Sequence, residues 1–231
     1  MNETEFDQFA DEYEASLSKV VRLSGEAPDY FASQKVAEIA RVVRSAQQKP
    51  RMILDFGAGV GSSLPHFEHH FPMAKIICAE VSARSLAVAR KRFANRATFT
   101  QIDDTNLPVA DNTADLLFAA CVFHHIPHNE HLDWVQQLYR VAQPGARLFI
   151  FEHNPYNPLT RKTVNACEFD ANAKLVRPAK LANTIRSAGW QDVRCNYTLF
   201  FPALLAKLRV LEPALRWLPL GAQYYATGVK R

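Results

Sequence analysis

The stretch that decides the fold is Met52-Ile-Leu-Asp-Phe-Gly-Ala-Gly-Val-Gly61. Its first five residues form a short, mostly apolar run that predicts a buried β-strand, and three glycines follow directly. From Ser62 onward the apolar residues have helical spacing. Glycines at a strand-to-helix turn let the backbone turn tightly and approach a ligand, while the start of the helix presents N–H groups without intrahelical partners. The segment therefore predicts a ligand-binding loop at the end of a strand.

Strands and helices alternate along the chain on both sides of this loop. Apolar runs predict strands over 52–56, 75–80, 98–102, 115–121, 147–152, 192–201 and 222–229. Helical spacing predicts helices over 4–20, 28–47, 62–71, 82–93, 130–141, 179–188 and 203–218. Strands that are apolar on both faces and separated by helices are typical of a parallel sheet covered by helices, so the fold class is α/β.

The composition is that of an ordinary globular chain. The chain has 231 residues, 48% of them apolar, and its 27 Lys and Arg against 23 Asp and Glu give a formal net charge of +4. These values exclude disordered and collagen-like chains, and without a Lys/Arg block we expect no nucleic-acid partner. We find no uncharged apolar run of about 18 residues and no signal-peptide pattern. Four scattered cysteines without a CxxC pair are typical of reduced thiols, so we expect a cytoplasmic protein.

Three acidic residues stand at or next to predicted strand ends. Asp55 precedes the glycines, Glu80 ends the second strand, and Asp103 follows the third. An acid at the position of Glu80 can accept hydrogen bonds from a ribose diol. The fingerprint of a dinucleotide site is imperfect, because Ser62 stands where its last glycine belongs and a carboxylate at Asp55 would repel a pyrophosphate. The acids favour a ligand with an unphosphorylated ribose and a cationic ammonium or sulfonium group.

Four segments together resemble the class I S-adenosylmethionine (SAM)-dependent methyltransferases, most closely the ubiquinone- and menaquinone-type branch. They are Ile53-Leu-Asp-Phe-Gly-Ala-Gly-Val-Gly61, Glu80-Val-Ser-Ala-Arg-Ser-Leu-Ala-Val-Ala89, Asp103-Asp-Thr-Asn-Leu-Pro-Val-Ala-Asp-Asn-Thr-Ala-Asp-Leu-Leu117 and Gln143-Pro-Gly-Ala-Arg-Leu-Phe-Ile-Phe151. The segment Phe6-Asp-Gln-Phe-Ala-Asp-Glu-Tyr13 is similar to the one that covers the cofactor in that branch.

The resemblance implies a Rossmann-like, seven-stranded methyltransferase sandwich that ends in an antiparallel hairpin. It also implies a division of the chain. We expect an N-terminal helical cap over 1–49, a SAM-binding core over 50–152, and an acceptor-shaping part of the same domain over 153–231. Residues 202–221 would form a helical insertion before the last strand.

Roles in binding SAM follow from the same resemblance. The implied residues are Tyr13, Asp55, Gly57, Ala58, Gly59, Gly61, Glu80, Val81, Ile102, Asp103 and Cys121. Asp55 would lie near the ammonium group of the cofactor, and Glu80 would take the ribose hydroxyls. Asp103 would accept a hydrogen bond from the adenine amino group, whose ring would pack on Ile102 and Val81. The glycine loop and Cys121 would contact the methionine part, and Tyr13 would close the site.

Histidines crowd the segment after the fourth strand, at positions 124, 125, 128 and 131. Methyl transfer needs alignment and exclusion of water, and an oxygen or carbon nucleophile with a high pKa also needs a base. We therefore expect His125 to face the acceptor and His153 to act as general base or orienting group, with Tyr156 or Arg161 touching the acceptor. His124 is interpreted as a packing or capping residue. A metal site is the less favoured interpretation of the cluster, so we predict none.

The insertion carries a leucine stripe with Lys207, Arg209 and Arg216, and it has two interpretations. It is a helix packed on its own sheet or at a dimer seam, or an interfacial helix that contacts a membrane through 203–218.

The predicted function is SAM-dependent methylation of a small-molecule O- or C-acceptor, hydrophobic, glycan-linked or quinone-like, by a monomer or homodimer. Two alternatives stay open: a non-catalytic SAM-binding module and a nucleotide-dependent oxidoreductase.

Overall fold

A computed structural model describes residues 24–103, 106–167, 170 and 172–231. The helix predicted over 4–20, and Tyr13 with it, lies outside the described residues. The seven strands are β1 Met52–Phe56, β2 Lys75–Glu80, β3 Thr98–Gln101, β4 Ala114–Ala120, β5 Ala142–His153, β6 Gln191–Thr198 and β7 Gln223–Val229. The α-helices are α1 Pro28–Ser45, α2 Leu64–His70, α3 Ala83–Phe93, α4 His131–Val141, α5 Pro158–Asn165, α6 Pro178–Ser187 and α7 Glu212–Leu215.

The strands form one sheet in the order β3-β2-β1-β4-β5-β7-β6. The first five strands are parallel, and β7 runs antiparallel to both β5 and β6. This arrangement confirms the predicted Rossmann-like, seven-stranded methyltransferase sandwich. The division at residues 49 and 152 stays a prediction.

Each face of the sheet has its own apolar core, because alternate residues of a strand point to opposite faces. Ile53 and Phe118 belong to the core shared with α1 and α2. Leu54 and Leu117 belong to the core shared with α4 and α6, which includes Trp134. The buried strands are thus apolar on both faces, as the sequence pattern predicts.

Most element boundaries agree with the predictions, and the differences have local causes. Ser82 caps α3 as expected, since its hydroxyl accepts a hydrogen bond from the Ser85 N–H at 3.0 Å. Strand β5 begins at Ala142 rather than 147, with a register shift that leaves Pro144 in an irregular part of the ladder. Helix α5 was not predicted, although Asn157 caps it and Pro158 opens it.

The insertion before β7 is helical but broken, so the prediction of one amphipathic helix over 203–218 is wrong. A 3₁₀ helix spans Ala203–Leu211 with non-helical angles at Leu205, and the short α7 follows. Arg209 pairs with Glu26 and lies over the Tyr30 ring, while Arg216 pairs with Glu38 at 2.7 Å. These contacts hold the insertion against α1 and the residues before it. The two arginines are therefore neutralised within the chain.

Within the described ranges, no helix is both long enough and apolar enough to cross a membrane.

Candidate functional site

The carboxyl ends of β1, β2, β4 and β5 meet at one edge of the sheet, where the strand order reverses between β1 and β4. Such a switch point leaves a crevice in which α/β proteins bind ligands. The glycine loop follows β1, Glu80 ends β2, Cys121 follows β4, and Glu152 and His153 end β5. The topology thus brings the two predicted groups, the cofactor acids and the acceptor-facing histidines, to the same edge.

The three glycines of the loop have different surroundings. All have positive φ, +75° at Gly57, +54° at Gly59 and +81° at Gly61, where side chains are strained. A Cβ on Gly57 would lie 2.3 Å from Cγ2 of Val122, and one on Gly61 would lie 2.9 Å from the Phe93 ring. No described atom lies within 4 Å of a Cβ built on Gly59. Packing therefore requires two of the glycines, and the third faces open space that a ligand can fill.

Glu80 holds this loop in place. Its buried carboxylate accepts a hydrogen bond from the Gly59 N–H at 2.8 Å, and from the N–H groups of Val81 and Ser82 at 2.9 and 3.0 Å. The Ala58 N–H donates to the Ala79 carbonyl at 3.1 Å, which ties the loop to β2 as well. Sequence reasoning missed this bracing role, and the ribose contact of Glu80 stays a prediction.

Asp55 is a buried acid near the end of β1, just before the glycine loop. Its side chain is 2% exposed, and its Oδ2 has no hydrogen-bond partner among the described residues. Burial, together with the nearby charge of Glu80, raises the pKa of Asp55 to about 8. An acceptor atom buried without a donor is costly unless a ligand supplies one. Asp55 therefore fits the ammonium group that the sequence assigns to it.

The predicted adenine residues directly follow β2 and β3, and two of them lie next to Glu80. Ile102 and Val81 are buried in the core on the α4 face, and the Ile102 N–H donates to the Glu80 carbonyl at 2.9 Å. Asp103 is exposed, and its Oδ1 accepts a hydrogen bond from the Asn106 N–H at 2.6 Å. Their contacts with an adenine ring stay predictions.

Cys121 and His153 form a second group, at the carboxyl ends of β4 and β5. Cys121 has a positive φ of 58°, and its thiol accepts a hydrogen bond from Nε2 of Gln223 at 3.6 Å. Burial acts to raise the pKa of this thiol, but His153 and Lys35 outweigh it and the pKa lies below its ordinary value. Burial likewise acts to lower the pKa of His153, but Cys121 raises it above the ordinary value. Oε1 of Gln223 is buried without a described partner, so this group also offers an acceptor atom to a ligand.

Glu152 anchors the segment after β4. Its Oε1 accepts hydrogen bonds from the N–H groups of Val122 and Phe123 at 3.1 and 2.8 Å, and its Oε2 lies 2.5 Å from Nδ1 of His124. Neither the Glu152 nor the His124 side chain is exposed to solvent. Burial acts to raise the pKa of Glu152, but His124 outweighs it and the pKa lies below its ordinary value. The interpretation of His124 as a packing or capping residue is incomplete, since its Nδ1 also contacts the buried carboxylate of Glu152.

Asp170 completes this cluster from the loop before α6. Its Oδ1 lies 3.3 Å from Nε2 of His124 and 3.4 Å from Nε2 of His125. Burial acts to raise the pKa of Asp170, but the two imidazoles outweigh it and hold the pKa far below its ordinary range. His125 thus lies at the predicted edge, with its side chain 10% exposed.

Tyr156 lies in the loop after β5. Its side chain is half exposed, and its N–H donates to Oδ1 of Asn154 at 3.0 Å. Asn154 is buried, and its Nδ2 donates to the Gly221 carbonyl at 2.7 Å, which fixes the loop after β5 to the end of the insertion. The acceptor contact of Tyr156 stays a prediction.

Sequence reasoning missed Asp170, Lys35, Gln223 and the anchoring role of Glu152. Asp170 lies in a segment without periodic apolar positions, and Lys35 is a helix residue like any other in the sequence. Gln223 faces the site because β7 runs antiparallel and begins where β5 ends. Glu152 carried a signal, since it is an acid at the end of an apolar strand.

Known proteins are similar to this chain in sequence and in fold. Residues 53–145 match the family described as "Methyltransferase domain". The ubiquinone/menaquinone biosynthesis C-methyltransferase UbiE of Stutzerimonas stutzeri is 32% identical over 124 residues. That match covers 51% of this chain and 48% of the relative, so the chain spans about half the length of the curated relatives it matches.

Solved structures share the fold. A SAM-dependent methyltransferase of Thermotoga maritima superposes with a TM-score of 0.68 at 20% identity and covers 99% of both chains. Phosphoethanolamine N-methyltransferase 2 of Haemonchus contortus, in complex with SAM, superposes with a TM-score of 0.57 at 16% identity, over 78% of this chain and 48% of that one.

Proposed function

We propose that this chain is a class I SAM-dependent methyltransferase that transfers a methyl group from SAM to a small-molecule acceptor, as its similarity to the methyltransferase domain family and to the UbiE relative supports. One observation carries the proposal: among the described residues, one oxygen of the buried acid Asp55 has no partner, and no atom fills the space beside the middle glycine of the adjacent loop. A cationic amino-acid moiety satisfies that oxygen, and SAM carries one.

The remaining cofactor contacts belong to the same proposal. Asp55 receives the ammonium group, the segment 57–61 takes the methionine part, and Glu80 takes the ribose hydroxyls. Asp103, with Ile102 and Val81, takes the adenine. Cys121 lies beside the methionine part, and Tyr13 covers the site.

The acceptor is placed on the side of the transferred methyl group that is opposite the sulfur of SAM. There it lies next to His125, His153 and Tyr156. In the reaction the carbon–sulfur bond of SAM breaks, and its electron pair stays on sulfur. The acceptor oxygen or carbon forms the new bond to the methyl group, and its proton passes to His153. This base lies at the same sheet edge as Cys121, which lies beside the sulfur in our assignment.

We propose a hydrophobic, quinone-like acceptor and a peripheral membrane contact. The name of the UbiE relative supports a quinone-type acceptor. The insertion supports the membrane contact, because Leu204 is 93% exposed, Val210 80% and Trp217 75%. Exposed aliphatic side chains with a nearby tryptophan are typical of a segment that lies at a lipid interface. A cytoplasmic location and a monomeric or homodimeric state complete the proposal.

Calorimetry and a transfer assay test the enzymatic proposal. We expect S-adenosylhomocysteine (SAH) to bind and NAD not to bind, and we expect labelled methyl from SAM to appear in one of a panel of quinol and phenol acceptors. Binding of NAD instead of SAH would contradict the proposal and support an oxidoreductase. SAH binding without transfer to any acceptor would support a non-catalytic SAM-binding module.

Vesicle flotation tests the membrane contact. We expect the protein to float with phosphatidylglycerol-containing vesicles, and the variant Leu204→Glu/Val210→Glu to stay in the bottom fraction. Leu159→Glu is the matched control, since Leu159 is 74% exposed on α5, outside the insertion. A wild-type protein that does not float, or a double variant that floats equally well, contradicts the contact.

A further inference from the structure

We infer that His124, His125 and Asp170 bind one divalent transition-metal ion at the edge of the sheet. One ring nitrogen of each imidazole and one carboxylate oxygen converge, with all three ligand atoms within 4.8 Å of one another. Two imidazoles with a carboxylate are a donor set that suits Zn²⁺ and its first-row neighbours.

The two separations that involve Asp170 fit coordination better than they fit hydrogen bonds. Asp170 Oδ1 lies 3.3 Å from His124 Nε2 and 3.4 Å from His125 Nε2, beyond the usual range of N–H···O bonds. Ligand atoms about 2.0–2.1 Å from a tetrahedral metal ion lie about 3.3–3.4 Å from one another. The two nitrogens also approach the same oxygen atom, as they would around one ion.

The second nitrogen of His124 has the partner that a metal-bound imidazole has. Nδ1 of His124 lies 2.5 Å from Oε2 of Glu152, and both side chains are fully buried. A carboxylate in that position receives the Nδ1–H and leaves the Nε2 lone pair for the metal. Glu152 is itself fixed by the N–H groups of Val122 and Phe123, so the imidazole is held in one orientation.

Charge balance supports the same conclusion. Without a metal ion, hydrogen bonds from both nitrogens of His124 would require a buried imidazolium between the carboxylates of Glu152 and Asp170. A divalent ion with a neutral His124 balances both acids, which is how proteins accommodate buried charge.

The backbone brings Asp170 to the histidines independently of these side-chain contacts. The Lys174 N–H donates to the His124 carbonyl at 2.8 Å, and the Ala173 N–H donates to the Asp170 carbonyl at 2.9 Å. The loop that carries Asp170 is thus attached to the segment that carries the two histidines. The three ligands are positioned by the fold.

Three protein ligands leave a coordination position open, as in catalytic zinc sites. An acceptor with a hydroxyl or carbonyl oxygen could occupy it, and the ion would lower the pKa of a bound hydroxyl. This role rests on the proposed methyl transfer, whereas metal binding itself does not.

Metal uptake by the full chain is the test. After treatment with a chelator, we expect the protein to take up one Zn²⁺ per chain and to develop ligand-field absorption with Co²⁺. His125→Ala and Asp170→Asn are each expected to lower Zn²⁺ affinity at least tenfold to a hundredfold. Circular dichroism establishes that each variant is folded. His125→Gln is the second variant if His125→Ala does not fold.

Two controls separate this site from adventitious binding. The His69→Ala/His70→Ala variant removes another adjacent imidazole pair, with ring centroids 4.9 Å apart, and should bind Zn²⁺ as the wild type does. Cys121→Ser should also retain Zn²⁺ affinity. Absence of Co²⁺ absorption, or uptake that survives His125→Ala and Asp170→Asn, overturns the inference. SAH calorimetry on the same samples reports on the proposed function separately, because the three metal ligands are not among the proposed SAM contacts.

Discussion

Oε2 of Glu152 lies 2.5 Å from Nδ1 of His124, and both side chains are fully buried. Replacing this carboxylate takes away the charged acceptor of the His124 Nδ1–H, and a hydrogen bond to a charged group contributes about 1.5–3 kcal/mol. We therefore expect Glu152→Gln to lower the free energy of unfolding by about 1.5–3 kcal/mol, measured by urea denaturation at pH 7.

The exposed pair of Glu68 and Arg96 provides the control, with side chains 32% and 46% exposed. Solvent-exposed ion pairs contribute under about 1 kcal/mol, so Glu68→Gln should change the unfolding free energy by no more than that. Equal losses for Glu152→Gln and Glu68→Gln would contradict the assignment of Glu152 as the anchor of the segment after β4.

Asp55→Asn is expected to weaken cofactor binding while it stabilises the free protein. The neutral amide removes the charged partner of the ammonium group, so SAH should bind tenfold to a hundredfold more weakly, equivalent to about 1.5–3 kcal/mol. The same change removes a buried acid whose ionisation opposes folding. Calorimetry and urea denaturation measure the two effects on one variant.

The stability effect of Asp55 has a defined pH dependence. Burial raises the pKa of the Asp55 carboxyl from 3.8 to about 8. The contribution of the neutral carboxyl to the free energy of unfolding is therefore fully present below pH 4 and is lost as the pH rises through 8. Asp55→Asn should thus be more stable than wild type by about 2–4 kcal/mol at pH 8, and the difference should vanish near pH 4. The exposed Asp133→Asn is the control, and a pH-independent difference for Asp55→Asn would contradict its burial as an acid.

Gly57 and Gly59 should respond differently to the same substitution. Gly57→Ala places a Cβ 2.3 Å from Val122 and strains a φ of +75°, so we expect a loss of about 3 kcal/mol or more in unfolding free energy. Gly59→Ala meets no described atom and should cost about 1–2 kcal/mol from backbone strain alone.

The SAH affinity of Gly59→Ala is the second quantity to measure. Because the Cβ of Gly59→Ala enters the space assigned to the methionine part, SAH affinity should fall at least tenfold although the fold persists. Thermal melts with and without SAH measure both properties. If Gly59→Ala binds SAH as tightly as wild type, the cofactor does not occupy that space.

His153→Gln is expected to lower kcat by about a hundredfold or more, since it removes the proposed base. In the wild type, Cys121 raises the pKa of His153 above 6.5 against the opposing effect of burial, with His124 and Asp170 also nearby. The base is active when neutral, so turnover should rise with pH through a pKa above 6.5. The variant should lose this rise and keep its SAH affinity, and an unchanged pH profile would remove His153 from the reaction.

The sheet was predictable from the sequence because its strands are buried on both faces and bounded by turn residues. The glycines after Phe56 and the serine cap at Ser82 mark the boundaries of β1 and α3, and the structure has both there. The insertion was less predictable. Leucines at 204, 208, 211 and 215 have helical spacing, but the helix breaks at Leu205 and the segment is held by Arg209 and Arg216 instead of an apolar face.

Site residues that directly follow a strand in the chain were predictable from the sequence. Site residues that reach the site only through a tertiary contact were not. The loop at Gly57 and the acid Glu80 follow strands directly in the chain. Asp170 is 46 residues from His124, and a backbone hydrogen bond between Lys174 and His124 brings their segments together. No local pattern encodes that contact.

A crystal structure of the SAH complex tests the central claim most directly, through the distance between the ligand ammonium nitrogen and Oδ2 of Asp55. We predict a separation within hydrogen-bond range, directly or through one water molecule, with the ligand crossing the glycine loop at Gly59. SAH bound elsewhere, or bound with Oδ2 of Asp55 still without a donor, would contradict the account.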